Sequence, residues 1–410
     1  MIRKQLHGDA AFSVVDCDGV RRLFLTVVPS RGVTLPEQIE SALQTAQTLL
    51  CEQGSTGAIV LQTVFLKDRR DLHACRAIVE AFYGARMPAT SYVVQPPCGG
   101  QRVAIEAWAL LGPSDRLDIE RHGDGLIIAR HTGAAWTYLA GVTSDAAAPT
   151  YDRSRSAFRA AADRLASAGW RFDEVIRTWL HLGGITVAEG ETDRYRELNR
   201  ARADFYRNLT FGCRGRCSAP KVDSPAHVER SPTPYPASTG IGVDGDGLTI
   251  GCIALRSGDS SVAVVSLENP LQTAAYDYGH QAGGEPPMFS RAMAIVTGES
   301  VALLISGTAS ITAAESRHSE NAEQQTRQTL TNIEALIASE NLRRSGLPGV
   351  CATLDDLALV RVYIKRAGDY EIVRAVCQAR LGDSPTLFVL ADVCRPELLV
   401  EIEAVAFGRE

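Results

Sequence analysis

The stretch "LLVEIEAVAF", residues 398–407, decides how the rest of the chain is read. In an extended strand successive side chains point to opposite faces. Val400, Ile402 and Ala404 therefore share one face, and Glu401 and Glu403 share the other. One expectation is an antiparallel strand whose glutamates face solvent. The alternative is a strand whose polar face lines a cleft, with one carboxylate handling a proton. The pattern occurs a second time. "RVAIEAWAL", residues 102–110, puts Glu106 297 positions before Glu403, and Ala104 the same distance before Glu401.

Working outward from both copies, the same order of elements appears. The C-terminal third runs "VALLISGTAS", "NAEQQTRQTLTNIEALIASE", "LALVRVYIK", "DYEIVRAVCQARL", "TLFVLADV" and the opening stretch. The N-terminal part runs "RLFLTVV", "LPEQIESALQTAQTLLCEQ", "AIVLQTVFLK", "DLHACRAIVEAFYG", "SYVVQPP" and "RVAIEAWAL". Lys67 precedes Lys365 by 298 positions, and Pro88 precedes Pro385 by 297. A third copy lies between them: "WTYLAGVTSD", "YDRSRSAFRAAADRLASAGW", "DEVIRTWLHLGGI", "DRYRELNRARADFY", "YPASTGIGV" and "GLTIGCIAL". Its Gly141 falls opposite Gly307, and its closing strand has Ile250, Gly251 and Cys252 in the region of the glutamates. Leu330, Ile333 and Leu336 show the apolar spacing of an amphipathic helix.

Each copy thus reads as a sheet covered on one face by two helices, an α+β layer. Three such layers can hide their bare faces by packing around one axis, which predicts a pseudo-trimer within one chain. The expected units are residues 1–113, 114–268 and 269–410, with residues 208–234 as an inserted surface loop.

Composition bounds the partners. The 410 residues are 45% hydrophobic and 22% charged, with a net charge of −6. That balance argues against a nucleic-acid or anionic-membrane partner. No apolar run approaches the roughly 18 residues of a membrane span, and "MIRKQLHGDAAFSVVDCDG" lacks the core of a signal peptide. A cytoplasmic monomer with internal pseudo-threefold symmetry is expected. The ten cysteines form no disulfide framework. Cys213 and Cys217 lack a second pair or a nearby histidine, so they read as loop cysteines rather than a zinc site. No metal and no cofactor are expected.

The element order, "LISGTASI" and "VEIEAVAF" resemble the Rid superfamily (YjgF-like, chorismate-mutase-like fold), whose members are trimers with clefts between subunits. Rid deaminases carry an arginine on the fifth strand; here Thr386 and Leu387 stand there, so the resemblance does not extend to imine hydrolysis. Residues 120–410 resemble the chorismatase family more closely, through "YPASTGIG", "ENPLQTAAYDYG", "PPMFSRA", "LLISGTASITAAESRHSENAEQQTRQTLTNI" and "CRPELLVEIE". That resemblance implies removal of pyruvate from chorismate. Such chemistry needs a carboxylic acid still protonated at neutral pH, to protonate the enolpyruvyl methylene.

Glu401 matches the family's catalytic acid, and only one of the three copies keeps a carboxylate there. Burial and the neighbouring Glu403 would both raise its pKa. Cys394 and Gly307 match the family members that form 3-hydroxybenzoate; alanine at both positions marks those that hydrolyse chorismate to a cyclohexadiene diol. The implied difference is attack by the substrate's C4 hydroxyl instead of water. Arg202, Tyr278 and Arg291 are candidates to hold the two substrate carboxylates, with Ser238, Thr239 and Gly240 supplying hydroxyls and backbone N–H groups. His318 fits a site or the surface equally. Diol formation, 4-hydroxybenzoate formation and a non-catalytic binding scaffold are the competing readings. Glu401→Gln is expected nearly to abolish pyruvate release without unfolding the protein, and Glu106→Gln to have little effect on turnover.

Overall fold

The computed structural model describes residues 2–17, 19–54, 56–144, 147–212, 235–279, 284–298 and 300–409. Most of the expected insertion, including Cys213 and Cys217, lies outside them. The chain is a mixed α+β protein built on three six-stranded sheets.

The first sheet holds β1 (Ile2–His7), β2 (Ala10–Cys17), β3 (Val20–Val27), β4 (Gly57–Leu66), β5 (Ala89–Val94) and β6 (Val103–Leu111). The second holds β7 (Asp118–Arg121), β8 (Leu126–His131), β9 (Ala134–Thr143), β10 (Val175–Gly183), β11 (Ala237–Val243) and β12 (Leu248–Ser257). The third holds β13 (Ala263–Leu267), β14 (Ala292–Thr297), β15 (Ser300–Ala309), β16 (Leu357–Ile364), β17 (Thr386–Leu390) and β18 (Val400–Gly408). Strand order is the same throughout: β1-β2-β3-β6-β4-β5, β7-β8-β9-β12-β10-β11 and β13-β14-β15-β18-β16-β17. In each sheet only the last pair is parallel.

Two differences from the sequence expectation concern the front of each repeat. Every sheet begins with two strands ahead of the first one expected. Because β13 pairs with β14, residues 263–267 belong to the third sheet, which moves the division expected at 268/269 ahead of Ala263.

One face of each sheet is covered by helices: α1 (Leu35–Gln53) and α2 (Leu72–Tyr83), α3 (Thr150–Ser167) and α4 (Arg194–Tyr206), and α5 (Ala322–Ile337), α6 (Ser339–Arg344) and α7 (Tyr370–Leu381). Local signals start them. Thr34 and Glu37 form a capping box at α1, and the Asn321 side chain accepts from Gln324 N at α5. Leu330, Ile333, Leu336 and Ile337 then bury the inner face of α5. The opposite faces of all three sheets share one core, in which Phe24, Trp136, Trp179, Leu304 and Phe407 meet. Each large apolar side chain buried there contributes about 1.5–3 kcal/mol. Among the described residues no helix is long and apolar enough to cross a membrane.

Candidate active site

A cavity of about 410 Å³ opens between the second and third sheets, within the roughly 300–1,000 Å³ typical of small-molecule pockets. From one side β11 supplies Ser238 and Gly240, and α4 supplies Tyr195, Asn199 and Arg202. From the other come Gly307 on β15, Glu401 on β18, Cys394 and Arg395 ahead of β18, Arg291 ahead of β14, and Tyr278. A register shift between Ile305 and Thr308 bulges β15 where Ser306 and Gly307 lie. There the Gly307 backbone lies directly against the acid. A Cβ added at 307 would stand 2.0 Å from Glu401 Oε1. The backbone here, with φ outside the left-handed region, would accept alanine, but the added methyl would have to displace the Glu401 carboxyl.

The two glutamates of β18 are both buried, at 4% and 5% exposure, so neither faces solvent. Their surroundings push them apart. Glu403 accepts from Arg177 Nη2 at 2.7 Å and Trp179 Nε1 at 3.0 Å, pairs with Arg361 Nη1 at 2.9 Å, and accepts from the Thr239 hydroxyl. Burial alone would raise its pKa, but Arg361 and Arg177 outweigh burial and hold it below the usual carboxylate range. Burial first, and ionised Glu403 second, push Glu401 up to about 8, against the pull of Arg177 and Arg291. One carboxyl is thus a fixed anion and the other an acid that keeps its proton at neutral pH. Burial, and then Glu401, push the Cys394 thiol up to about 12, so it is present as S–H.

Positive charge gathers around the same cavity. Arg202 donates to Asn199 Oδ1 at 2.5 Å and reaches Ser238 Oγ at 3.4 Å. Arg291 donates to the Tyr278 hydroxyl and, at 3.1 Å, to Thr273 O. Both guanidiniums lie over the Phe289 ring, at 5.8 and 5.2 Å. The Nε atoms of Arg202 and Arg291 are buried without a hydrogen-bond partner among the described residues. Arg395 donates to Ala314 O at 3.0 Å and lies 5.4 Å from the Tyr278 ring. This arrangement suits an anion with more than one carboxylate.

Of the residues singled out from sequence, Glu401, Cys394, Gly307, Arg202, Tyr278, Arg291, Ser238 and Gly240 come together in this cavity. Thr239 does not. It alternates to the other face of β11, where its hydroxyl bonds Glu403 and accepts from Arg177 and from Gly307 N. A direct role for that hydroxyl in binding substrate is therefore corrected to a supporting one. His318 is exposed, and its carbonyl accepts from Gln325. Sequence reasoning missed Tyr195, Phe289 and Arg395. Phe289 and Arg395 lie inside "PPMFSRA" and "CRPELLVEIE", so those motifs already contained them.

No family model matches the chain. It is 32% identical over 308 residues to a chorismatase from Streptomyces rapamycinicus, covering 73% of this chain and 81% of that relative. It is also 32% identical over 240 residues to a 3-hydroxybenzoate synthase from Streptomyces hygroscopicus, covering 57% of this chain and 64% of that one. A chorismatase crystal structure superposes with a TM-score of 0.63 at 22% identity, over 85% of this chain and 93% of that one; at this identity the match speaks for the fold. On the extent and identity of the first match, this chain is an enzyme and belongs to the chorismatase family.

Proposed function

We propose that this enzyme converts chorismate to 3-hydroxybenzoate and pyruvate in the cavity beneath Glu401. The observation that carries the reading is a buried carboxylic acid, protonated at neutral pH, against Gly307 in a pocket that also holds Cys394 and two buried arginines. Arg202 and Arg291, the latter steadied by Tyr278, take the two substrate carboxylates. Glu401 gives its proton to the enolpyruvyl methylene, which becomes the methyl group of pyruvate. The C4 hydroxyl oxygen attacks C3 as the C3–O bond breaks, and the ether oxygen leaves as the keto oxygen of pyruvate. The hydroxyl proton returns to Glu401. The arene oxide so formed opens at its C4–O bond, leaving the oxygen on C3, and C3 loses its proton as that oxygen gains one, giving the phenol. Gly307 and Cys394 govern whether water or the C4 hydroxyl reaches the activated ring. No metal or cofactor takes part in this scheme.

We read the three sheets as three Rid-like units, near residues 1–113, 114–262 and 263–410, around a pseudo-threefold axis in one monomeric chain. Their common strand order and shared core support this. The net charge of −6 supports a small-molecule enzyme without a nucleic-acid or anionic-membrane partner.

The test is incubation of the purified protein with chorismate and chromatography of the products. Equal amounts of pyruvate and 3-hydroxybenzoate are expected. Pyruvate with the diol or 4-hydroxybenzoate overturns the product assignment. Binding of chorismate without turnover overturns the mechanism and leaves a metabolite-binding scaffold.

A further inference from the structure

The acid is backed by a chain of charge that reaches the first sheet. Arg361 Nη2 donates to Glu106 Oε1 at 2.6 Å and Arg361 Nε donates to Glu106 Oε2 at 3.0 Å. The third nitrogen of the same guanidinium, Nη1, pairs with Glu403, and Glu403 in turn holds Arg177 of the second sheet. All four residues are at most 5% exposed, so water screens them little. Their formal charges cancel: Glu106 and Glu403 against Arg361 and Arg177. Other groups in reach add none. Burial, then Arg361, hold His181 of β10 at about 3, and Tyr363 of β16 is buried and pushed well above its ordinary value. On the cavity side Glu401 meets Arg291, the Cys394 thiol and the Tyr195 hydroxyl.

We propose that Glu106, contributed by the first sheet, is a positioning residue for the reaction between the second and third sheets: its two-bond pair with Arg361 sets how much positive charge reaches Glu403 and, through it, Glu401. Without the Glu106 charge the cluster carries a net +1 behind the acid. Arg361 is then free to swing wholly onto Glu403, and the electrostatic support for the Glu401 proton weakens. Among the described residues the first sheet lends no side chain to the cavity wall, yet on this reading it tunes the acid. This reverses the expectation, drawn from sequence, that Glu106→Gln leaves turnover nearly unchanged.

The inference rests on Glu401 being the acid, and that reading has its own test, since Glu401→Gln retaining turnover would sink it whatever Glu106 does. The experiment for Glu106 is the pH profile of kcat/KM for chorismate, whose alkaline limb reports the free enzyme's acid. Glu106→Gln is expected to move that limb down by about one pH unit, which is tenfold in the protonated fraction above the limb. Glu106→Asp, which keeps the charge, is expected to hold the wild-type limb. Arg361→Gln leaves a net −1 and should move the limb up, and Glu106→Gln with Arg361→Gln should bring it back. A Glu106→Gln enzyme with the wild-type limb and only a lower Tm overturns the proposal, as does Glu106→Asp shifting as far as Glu106→Gln. If Glu106→Gln does not fold, Arg361→Gln still decides against the double variant. Equal limbs in those two enzymes overturn the proposal, and a higher limb in the single variant supports it.

Discussion

The seam between the second and third sheets and the seam between the first and second share a backbone plan and differ in chemistry. Each has a bulged strand with a glycine in the bulge, Gly307 on β15 and Gly141 on β9. In each, the glycine N–H donates to a hydroxyl from the neighbouring sheet's parallel strand: Thr239 Oγ1 at 2.9 Å and Ser91 Oγ at 3.1 Å. The strand registers place Thr249 where the active seam has Glu401, and Gly251 where it has Glu403. The sequence had pointed to Ile250–Cys252 for this place; the structure fixes the residues as Thr249 and Gly251 and agrees that no carboxylate is there. The comparison teaches that the bulge and its hydroxyl brace are scaffold. On the proposed function, what makes one seam a site is Glu401, whose proton is held first by burial and then by the Glu403 anion.

The largest break in the comparison comes from Glu401→Gln, which makes the active seam as inert as its counterpart. Pyruvate release should fall about 10³-fold, within the range of a lost general acid, while circular dichroism and the Tm show an intact fold. Paired glycine variants come next. At Gly307 the added methyl meets the Glu401 carboxyl, so Gly307→Ala should lower pyruvate release about 10²-fold through displacement of the acid and shift the surviving product towards the diol. At Gly141, with φ +68° and Thr90 O 2.7 Å from the added Cβ, alanine strains the backbone instead. Gly141→Ala should cost roughly 1–2 kcal/mol of stability and leave the product unchanged. A product change in Gly141→Ala would erase the distinction between the seams.

The buried acid also leaves a mark on stability. Glu401 binds a proton more tightly folded, with a pKa of about 8, than unfolded, near 4.5. Between those values the native state holds more protons than the unfolded state, so stability falls as pH rises through that window. Glu401→Gln escapes this loss. Its unfolding free energy should exceed that of the wild type by a margin that grows from pH 5 to pH 8, with an upper limit of about 5 kcal/mol, and its Tm should rise accordingly. A margin independent of pH counts against a raised Glu401. The smallest effect is expected at Cys394→Ala. Pyruvate release should keep its order of magnitude while the ratio of 3-hydroxybenzoate to diol falls, as liquid chromatography can read.

Much of this was legible because the repeat keeps its spacing. A strand's period of two, recurring at 297 positions, fixed both β6 and β18, and a carboxylate at the 401 position in only one of the three copies marked the candidate acid. Thr239 was misread because alternation tells which face a side chain takes but not what lies across from it. The partners of Glu403 were missed for a related reason. "VIRTWLHL" and "LALVRVYI" are largely apolar runs, each with a single arginine, Arg177 or Arg361. A lone cation in a strand buried on both faces calls for a buried anion. Only tertiary structure shows that the anions are Glu106 and Glu403.

The position of β18 carries a consequence for how the molecule folds. It is the last along the chain of the eighteen strands in the three six-stranded sheets, yet it lies between β15 and β16. Until it enters, the third sheet is two separate ribbons with unpaired inner edges, open to pairing with other chains. Closing that gap joins segments nearly a hundred residues apart in the case of β15, the kind of long-range contact that slows folding. The strand that completes the sheet also delivers Glu401 and Glu403. On the proposed function, proton chemistry therefore depends on structural completion: a molecule in which β18 is not in place has neither Glu401 in the cavity nor Glu403 in the ion cluster.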